Sequence, residues 1–161
     1  MTALALREAA PADLPVILRF VRALADYERL AHKVRATEAD FRRALFGEPP
    51  YAHALLAELD GKAVGVAVWF YDFSTFEGRP GLYVEDVFVD PEQRGRGIGR
   101  AIFAWLARRA LREGCTRMNW AVLDWNAPSI AFYRGLGAVA QDDWTVQRLS
   151  GDALATLAGM E

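Results

Sequence analysis

Residues 83–100, YVEDVFVDPEQRGRGIGR, hold the densest set of charged and reactive groups in the chain. An apolar strand carries two adjacent carboxylates, Glu85 and Asp86. A turn at Asp90-Pro91 follows. Arg94, Arg96 and Arg100 then interleave with Gly95, Gly97 and Gly99 as the chain enters a helix. Strand, glycine loop and helix N-terminus in that order make an anion cradle. First-turn amides have no intrahelical partner, and the helix dipole places partial positive charge there. Glycine lets backbone approach a ligand with no Cβ in the way. A pyrophosphate suits such a place. The plainer reading is a basic surface turn before an ordinary helix, and glycine at three alternate positions weighs against it.

Other phosphate-binding loops do not fit. A P-loop needs Gly-Lys-Ser/Thr at the helix start, and here Gly99 is followed by Arg100-Ala101. A dinucleotide fingerprint needs GxGxxG after a first strand; Gly95, Gly97 and Gly99 have the wrong spacing and lie past the middle of the chain. Glu85 and Asp86 are strand neighbours, so regular alternation sends them to opposite faces, and only one can serve a given site.

The chain has 161 residues, 53% of them hydrophobic, which suits one globular domain over residues 1–161. The net charge of -2 gives no basic excess for nucleic acid. A single cysteine, Cys115, allows no internal disulfide and reads as a packing residue; a nucleophilic role would need a histidine beside it, and only His32 and His53 are present. The start is too charged, at Arg7 and Glu8, for a signal peptide, and no apolar run is long enough to span a membrane. The expectation is a soluble cytoplasmic protein without metal.

The elements follow from periodicity. Leu4 to Glu8 reads as a short strand. Pro11 and Asp13 open a helix with apolar residues at Leu14, Ile17, Leu18, Val21 and Leu24, ending near Leu30. Tyr27 and Glu28 fall in its last turn. A carboxylate there opposes the dipole, so Glu28 is either solvated or a contact for a cationic ligand. Thr37 and Asp40 cap a second helix that ends near Gly47. Tyr51–Leu59 and Lys62–Tyr71 are strands joined by an Asp60-Gly61 hairpin turn. Residues 72–81 read as a surface loop, and Leu82–Val89 as the central strand. The helix after the glycine loop runs to about Arg112. Met118–Val122 is a further strand. Asn126 and Pro128 start a short helix ending at Gly137. Trp144–Leu149 reads as a last strand and Gly151–Met160 as a terminal helix. The alternation predicts a mixed α/β sheet with helices on both faces.

Arg94-x-x-Gly97-x-Gly99, followed by Asn126-x-x-Ser129, Phe132-Tyr133 and Leu136-Gly137-Ala138, resembles the GNAT N-acetyltransferase superfamily. The resemblance covers nearly the whole chain. It is nearest the diamine (polyamine) and thialysine N-acetyltransferases, through Asp26-Tyr27-Glu28, Tyr83-Val84-Glu85-Asp86 and the segment from Trp125 to Tyr133. It implies a mostly antiparallel sheet of about six to seven strands, acetyl-CoA as co-substrate, a primary amine as acceptor, and a homodimer.

It also implies roles. Arg94, Gly95, Arg96, Gly97, Ile98, Gly99 and Arg100 would hold the pyrophosphate. The backbone of Val87, Phe88 and Val89 would line the pantetheine arm, with the Val87 N–H polarising the thioester carbonyl. Asn126 and Ser129 would bond that arm; Asn126 also reads as a helix cap, and both can hold. Tyr133 is the candidate acid for the leaving thiolate. Glu85 would accept the amine proton, directly or through water, with Asp86 structural or at an interface. Tyr27, Glu28, Glu85, Asn119, Trp120 and Asp142 would surround the amine. The segment between Gly137 and Trp144 is shorter than in the polyamine enzymes, which bears on Asp142. Other readings stay open: the same chemistry on an amino acid, an antibiotic or a protein N-terminus, or a CoA-binding module without catalysis.

Overall fold

The computed structural model describes residues 3–160. These divide into two compact units, one ending at Trp125 and one beginning at Asn126.

The first unit is built on a five-stranded sheet in the order β1-β2-β3-β4-β5. β1 (Leu4–Glu8), β2 (His53–Leu59), β3 (Lys62–Ser74) and β4 (Arg79–Val89) pair antiparallel in succession, and β5 (Met118–Asn119) joins β4 in parallel. The turn between β2 and β3 has Asp60 at φ 49° and Gly61 at φ 79°. Two left-handed residues in a row match the twist of an antiparallel pair, as the Asp-Gly sequence demands.

Helix α1 (Leu14–Tyr27) covers one face. Its Leu14, Ile17 and Phe20 pack with Leu45 of α2 (Glu38–Phe46) and with Leu56, Val66, Val68 and Phe88 from the strands. Each such side chain contributes about 1.5–3 kcal/mol by leaving water. Ala67 and Trp69 alternate to the other face, where Trp69 meets Trp105 of α3 (Ile98–Arg112) at 5.4 Å between rings. Helix α2 starts at the expected capping box: Thr37 Oγ1 accepts the Asp40 N–H, and Asp40 accepts the Thr37 N–H at 2.8 Å.

Residues 72–81 are not the expected surface loop. β3 runs on to Ser74 and β4 starts at Arg79, paired through Asp72↔Gly81, Phe73↔Pro80 and Ser74↔Arg79. The hairpin ladder continues because each pair satisfies backbone groups that a loop would leave to water. Opposite this, β5 is shorter than the predicted Met118–Val122 and keeps two pairs, Leu82↔Met118 and Tyr83↔Asn119.

In the second unit α4 (Ala127–Gly135) is followed by α5 (Gly151–Ala158). The predicted strand at Trp144–Leu149 is absent, and among the described residues the sheet has five strands in place of the expected six or seven. A strand exists through its ladder hydrogen bonds, and among the described residues no strand pairs with this segment. Its Trp144 and Val146 are strongly exposed.

Candidate active site

The glycine loop folds as its sequence requires. Gly95 and Gly97 take φ 76° and 78°, a region open to glycine and costly for other residues. A Cβ at either would meet nothing within 4 Å, so the loop borders open space. Gly97 is the N-cap of α3 and, lacking a side chain, leaves the first-turn amides uncapped. Backbone amides on open space at the start of a 15-residue helix, with Arg96 exposed beside them, fit the diphosphate of a CoA-type ligand. Ile98 is buried and anchors the helix start from below.

The neighbouring edge of β4 fits the rest of such a ligand. The Asp90 amide donates to Val64 at 2.8 Å. Antiparallel alternation then turns the N–H and C=O of Val89 and Val87 away from β3. Past Tyr83, β5 no longer pairs with that edge, so Val87 presents its backbone there as a strand would to an added strand. Arg94 Nε already donates to the Val89 carbonyl at 3.0 Å.

Register in β4 changes the reading of the carboxylates. Val68 lies opposite Asp86, and the next residue, Trp69, lies opposite Val84. Glu85 is the extra residue of a β-bulge. Strict alternation between Glu85 and Asp86 therefore does not hold. Glu85 is exposed, whereas Asp86 is half-buried opposite Val68. Burial pushes the Asp86 carboxyl up to about 6, with the negative charges of Glu85 and Glu28 adding to the shift. Burial also raises the Glu28 carboxyl. Asp86, expected to be structural or at an interface, is the most perturbed carboxylate of the group. The signal in the sequence was its place next to Glu85; the shifted register that sets it opposite Val68 is not a local property.

Glu28 is held by the way α1 ends. The Leu30 N–H reaches the Ala25 carbonyl at 2.7 Å and the Arg29 N–H reaches Asp26 at 3.0 Å, which is a Schellman motif. Arg29 takes the left-handed position, φ 61°, usually given to glycine. Tyr27 packs against Trp125 at 6.1 Å and lies under the Arg94 guanidinium at 5.1 Å. Arg94, Tyr27, Glu28, Glu85 and Asp86 therefore form one neighbourhood, linked through these contacts and charges.

Other expected site residues have additional work. Asn119 donates to Asp72 at 3.4 Å, and Trp120 packs on Phe103 of α3 at 4.9 Å. In the second unit, the buried Asn126 accepts the Ser129 N–H at 3.4 Å and caps α4. Tyr133 packs against Phe132 at 5.6 Å on that helix and is half-buried. Asp142 is exposed in the irregular stretch before Trp144. Among the described residues no group of three or more His, Cys, Asp or Glu side chains is arranged to hold a metal ion, and no helix is long and apolar enough to cross a membrane.

An uncapped glycine loop at a helix start, an open strand edge and a group of carboxylates thus gather where β4 leads into α3. Residues 18–138 match the acetyltransferase (GNAT) family, and the chain belongs to it. It is 39% identical to a thialysine N-epsilon-acetyltransferase of Bos taurus over 96% of both chains. It is 26% identical to an L-ornithine N5-acetyltransferase of Arabidopsis thaliana, over 94% of this chain and 86% of that one. Among solved structures, an integron cassette protein from V. cholerae superposes with a TM-score of 0.80 at 25% identity, covering 98% of each chain.

Proposed function

We propose that this enzyme moves the acetyl group of acetyl-CoA onto a primary amine of a small diamine, polyamine or lysine-like substrate. The observation that carries this reading is the placement of Glu28, Glu85 and Asp86 within electrostatic reach of one another beside the open edge of β4. Like charges held together at a cost of this kind suit an ammonium ligand, whose charge relieves their repulsion. The relatives that act on thialysine and ornithine support the same class.

Acetyl-CoA supplies an activated acyl thioester. This chain's residues do the rest. The loop from Arg94 to Arg100 and the amides of α3 hold the diphosphate, and the β4 edge from Val87 to Val89 aligns the arm. The Val87 N–H polarises the carbonyl. Glu28, Tyr27 and Asp86 hold the ammonium, with Asn119 and Trp120 completing the acceptor walls; the family resemblance adds Asp142 to the residues that meet the amine. An alkyl ammonium near pKa 10.4 must lose a proton before it can attack. Glu85, exposed on the bulge, accepts it directly or through water and passes it to solvent. The family resemblance assigns Asn126 and Ser129 to the arm and Tyr133 to the acid role: as the new C–N bond replaces the C–S bond, Tyr133 Oη gives a proton to the departing sulfur, and the nitrogen's second proton restores the phenol.

The enzyme acts in the cytoplasm as a homodimer in this reading, for which the exposed Trp144, Val146 and Leu149 offer apolar surface. The decisive experiment is acetyl-CoA consumption with thialysine, lysine, ornithine, spermidine, putrescine and an aminoglycoside side by side. Turnover is expected with the dicationic and lysine-like amines. CoA binding with no turnover of any amine would leave only a CoA-binding module.

A further inference from the structure

β5 is the shortest strand of the sheet, and it carries Asn119. Its ladder to β4 has two pairs, Leu82↔Met118 and Tyr83↔Asn119, which is little backbone to hold a wall of the acceptor site. A side-chain tie reaches it from two strands away. Asp72 of β3 lies opposite Gly81 of β4. Gly81 is buried and has no side chain, so the Asp72 carboxylate crosses β4 there and reaches β5. Asp72 Oδ2 accepts from Asn119 Nδ2 at 3.4 Å, and Asp72 Oδ1 meets the Arg117 guanidinium at 3.5 Å. A Cβ on Gly81 would overlap Asp72 Oδ1 and press on Arg117 Cγ and Nε at 3.1 Å. Arg117 also donates to the Phe73 carbonyl at 3.5 Å, and its own carbonyl accepts the Leu82 N–H at 3.0 Å. Strands β3, β4 and β5 are thus laced together at one level, just before β5 leaves the β4 edge.

We propose that Asp72, reaching over Gly81, is a positioning residue for the acceptor amine: it fixes the Asn119 side chain and chooses which end of its amide the amine meets. The inference rests on the reading above, in which Asn119 lines the acceptor wall. Its basis is the chemistry of the two groups. The terminal torsion of an asparagine is broad, so an unheld amide presents its NH2 and its oxygen almost interchangeably. A carboxylate can only accept, so Asp72 takes the NH2 end. The Asn119 carbonyl oxygen is then turned away from Asp72. An ammonium can only donate, and the carbonyl oxygen is the end of the amide it can use. Trp120, the next residue, is held from the other side, by Phe103 of α3 at 4.9 Å. Asn119 takes its hold from β3. A second tie, from the Thr116 hydroxyl to Glu77, joins the hairpin to the chain ahead of β5 without touching Asn119.

The test uses the full chain with Asp72→Ala, Asp72→Asn, Gly81→Ala, the Asp72→Ala/Gly81→Ala pair, and Glu77→Ala as the control tie. Thialysine acetylation gives kcat and KM, and calorimetry gives the Kd for CoA. Asp72→Ala and Gly81→Ala are each expected to raise the thialysine KM about tenfold, as a misplaced binding group does, with kcat and the Kd for CoA within about threefold of wild type. Asp72→Asn keeps the size of the side chain but can donate as well as accept, so it should raise KM by an intermediate factor. The pair should be no worse than the worse single variant, because both changes remove the same tie. Glu77→Ala should leave KM within about twofold of wild type. Retained CoA binding reports that a variant folds; if Asp72→Ala does not, the isosteric Asp72→Asn decides. Asp72 variants with lowered melting temperatures and an unchanged KM would overturn the proposal, since the tie would then serve the sheet alone. So would losses that multiply in the pair, or a rise in KM from Glu77→Ala equal to that from Asp72→Ala. A wild-type chain that turned over no amine would remove the underlying reading; turnover of thialysine with unaltered Asp72 variants would remove this inference only.

Discussion

Asp86→Asn should make the protein more stable and less active, with a pH dependence set by the bulge. An ordinary aspartate titrates near about 3.9; in the folded chain burial, Glu85 and Glu28 push Asp86 up to about 6. The folded state therefore holds this proton more tightly than the unfolded chain does. For a carboxyl raised in this way, stability is greatest below the unfolded value. It declines as pH climbs from about 4 to about 6, then stays at the lower level. A gap of about two pH units at 1.4 kcal/mol each gives about 3 kcal/mol for the ionisation cost. Asparagine keeps the shape and cannot ionise, so it escapes that cost. Thermal melts of wild type and Asp86→Asn at pH 4, 6 and 8 read the effect. In a chain of this size each kcal/mol moves Tm by about 2–4 °C. The advantage of Asp86→Asn should be about 6–12 °C larger at pH 8 than at pH 4. Spermidine should raise the wild-type Tm at pH 8 and leave the variant nearly unmoved. An equal Tm difference at pH 4 and pH 8 would refute the reasoning, because Asp86 would then ionise alike in both states.

Two further outcomes follow from the site. Tyr133→Phe removes one hydroxyl and keeps the ring packed against Phe132, so kcat should fall by about 10²-fold with little change in amine KM, in line with the loss of a general acid; stopped assays at saturating amine decide it, and an unchanged kcat rules out the acid role. Gly97→Val puts a branched side chain at φ 78° in open space at the head of α3. It should cost about 1–2 kcal/mol of stability while weakening CoA at least tenfold in calorimetry, and a preserved affinity would move the diphosphate away from this loop.

What could be read along the chain was what short-range chemistry decides. The Asp60-Gly61 turn, the Thr37–Asp40 capping box, the start and end of α3 and the Asn126 cap of α4 all appear where their residue types place them. Each is a bargain struck among residues within one turn of each other. The motif from Arg94 to Gly99 was legible for the same reason, since backbone conformation and helix-end amides are local.

The misreadings concern pairing between distant segments. Residues 72–81 extend a hairpin in place of a loop, because cross-strand partners complete the ladder from Asp72 to Ser74. Trp144–Leu149 has the residue types of a strand, but a strand needs a neighbour, and none of the described strands pairs with it. The two carboxylates were visible at once, and their division of labour was not. By itself, the sequence determined the glycine-rich turn at 94–100 that opens α3 and placed Glu85 and Asp86 just ahead of it. Tertiary structure decided that Glu85 bulges out to solvent, that Asp86 is half-buried within electrostatic reach of Glu28, and that Arg94 turns back onto Tyr27. The reason is physical: bulge, burial and stacking are set by what lies opposite in space, and two residues side by side in sequence do not carry that information.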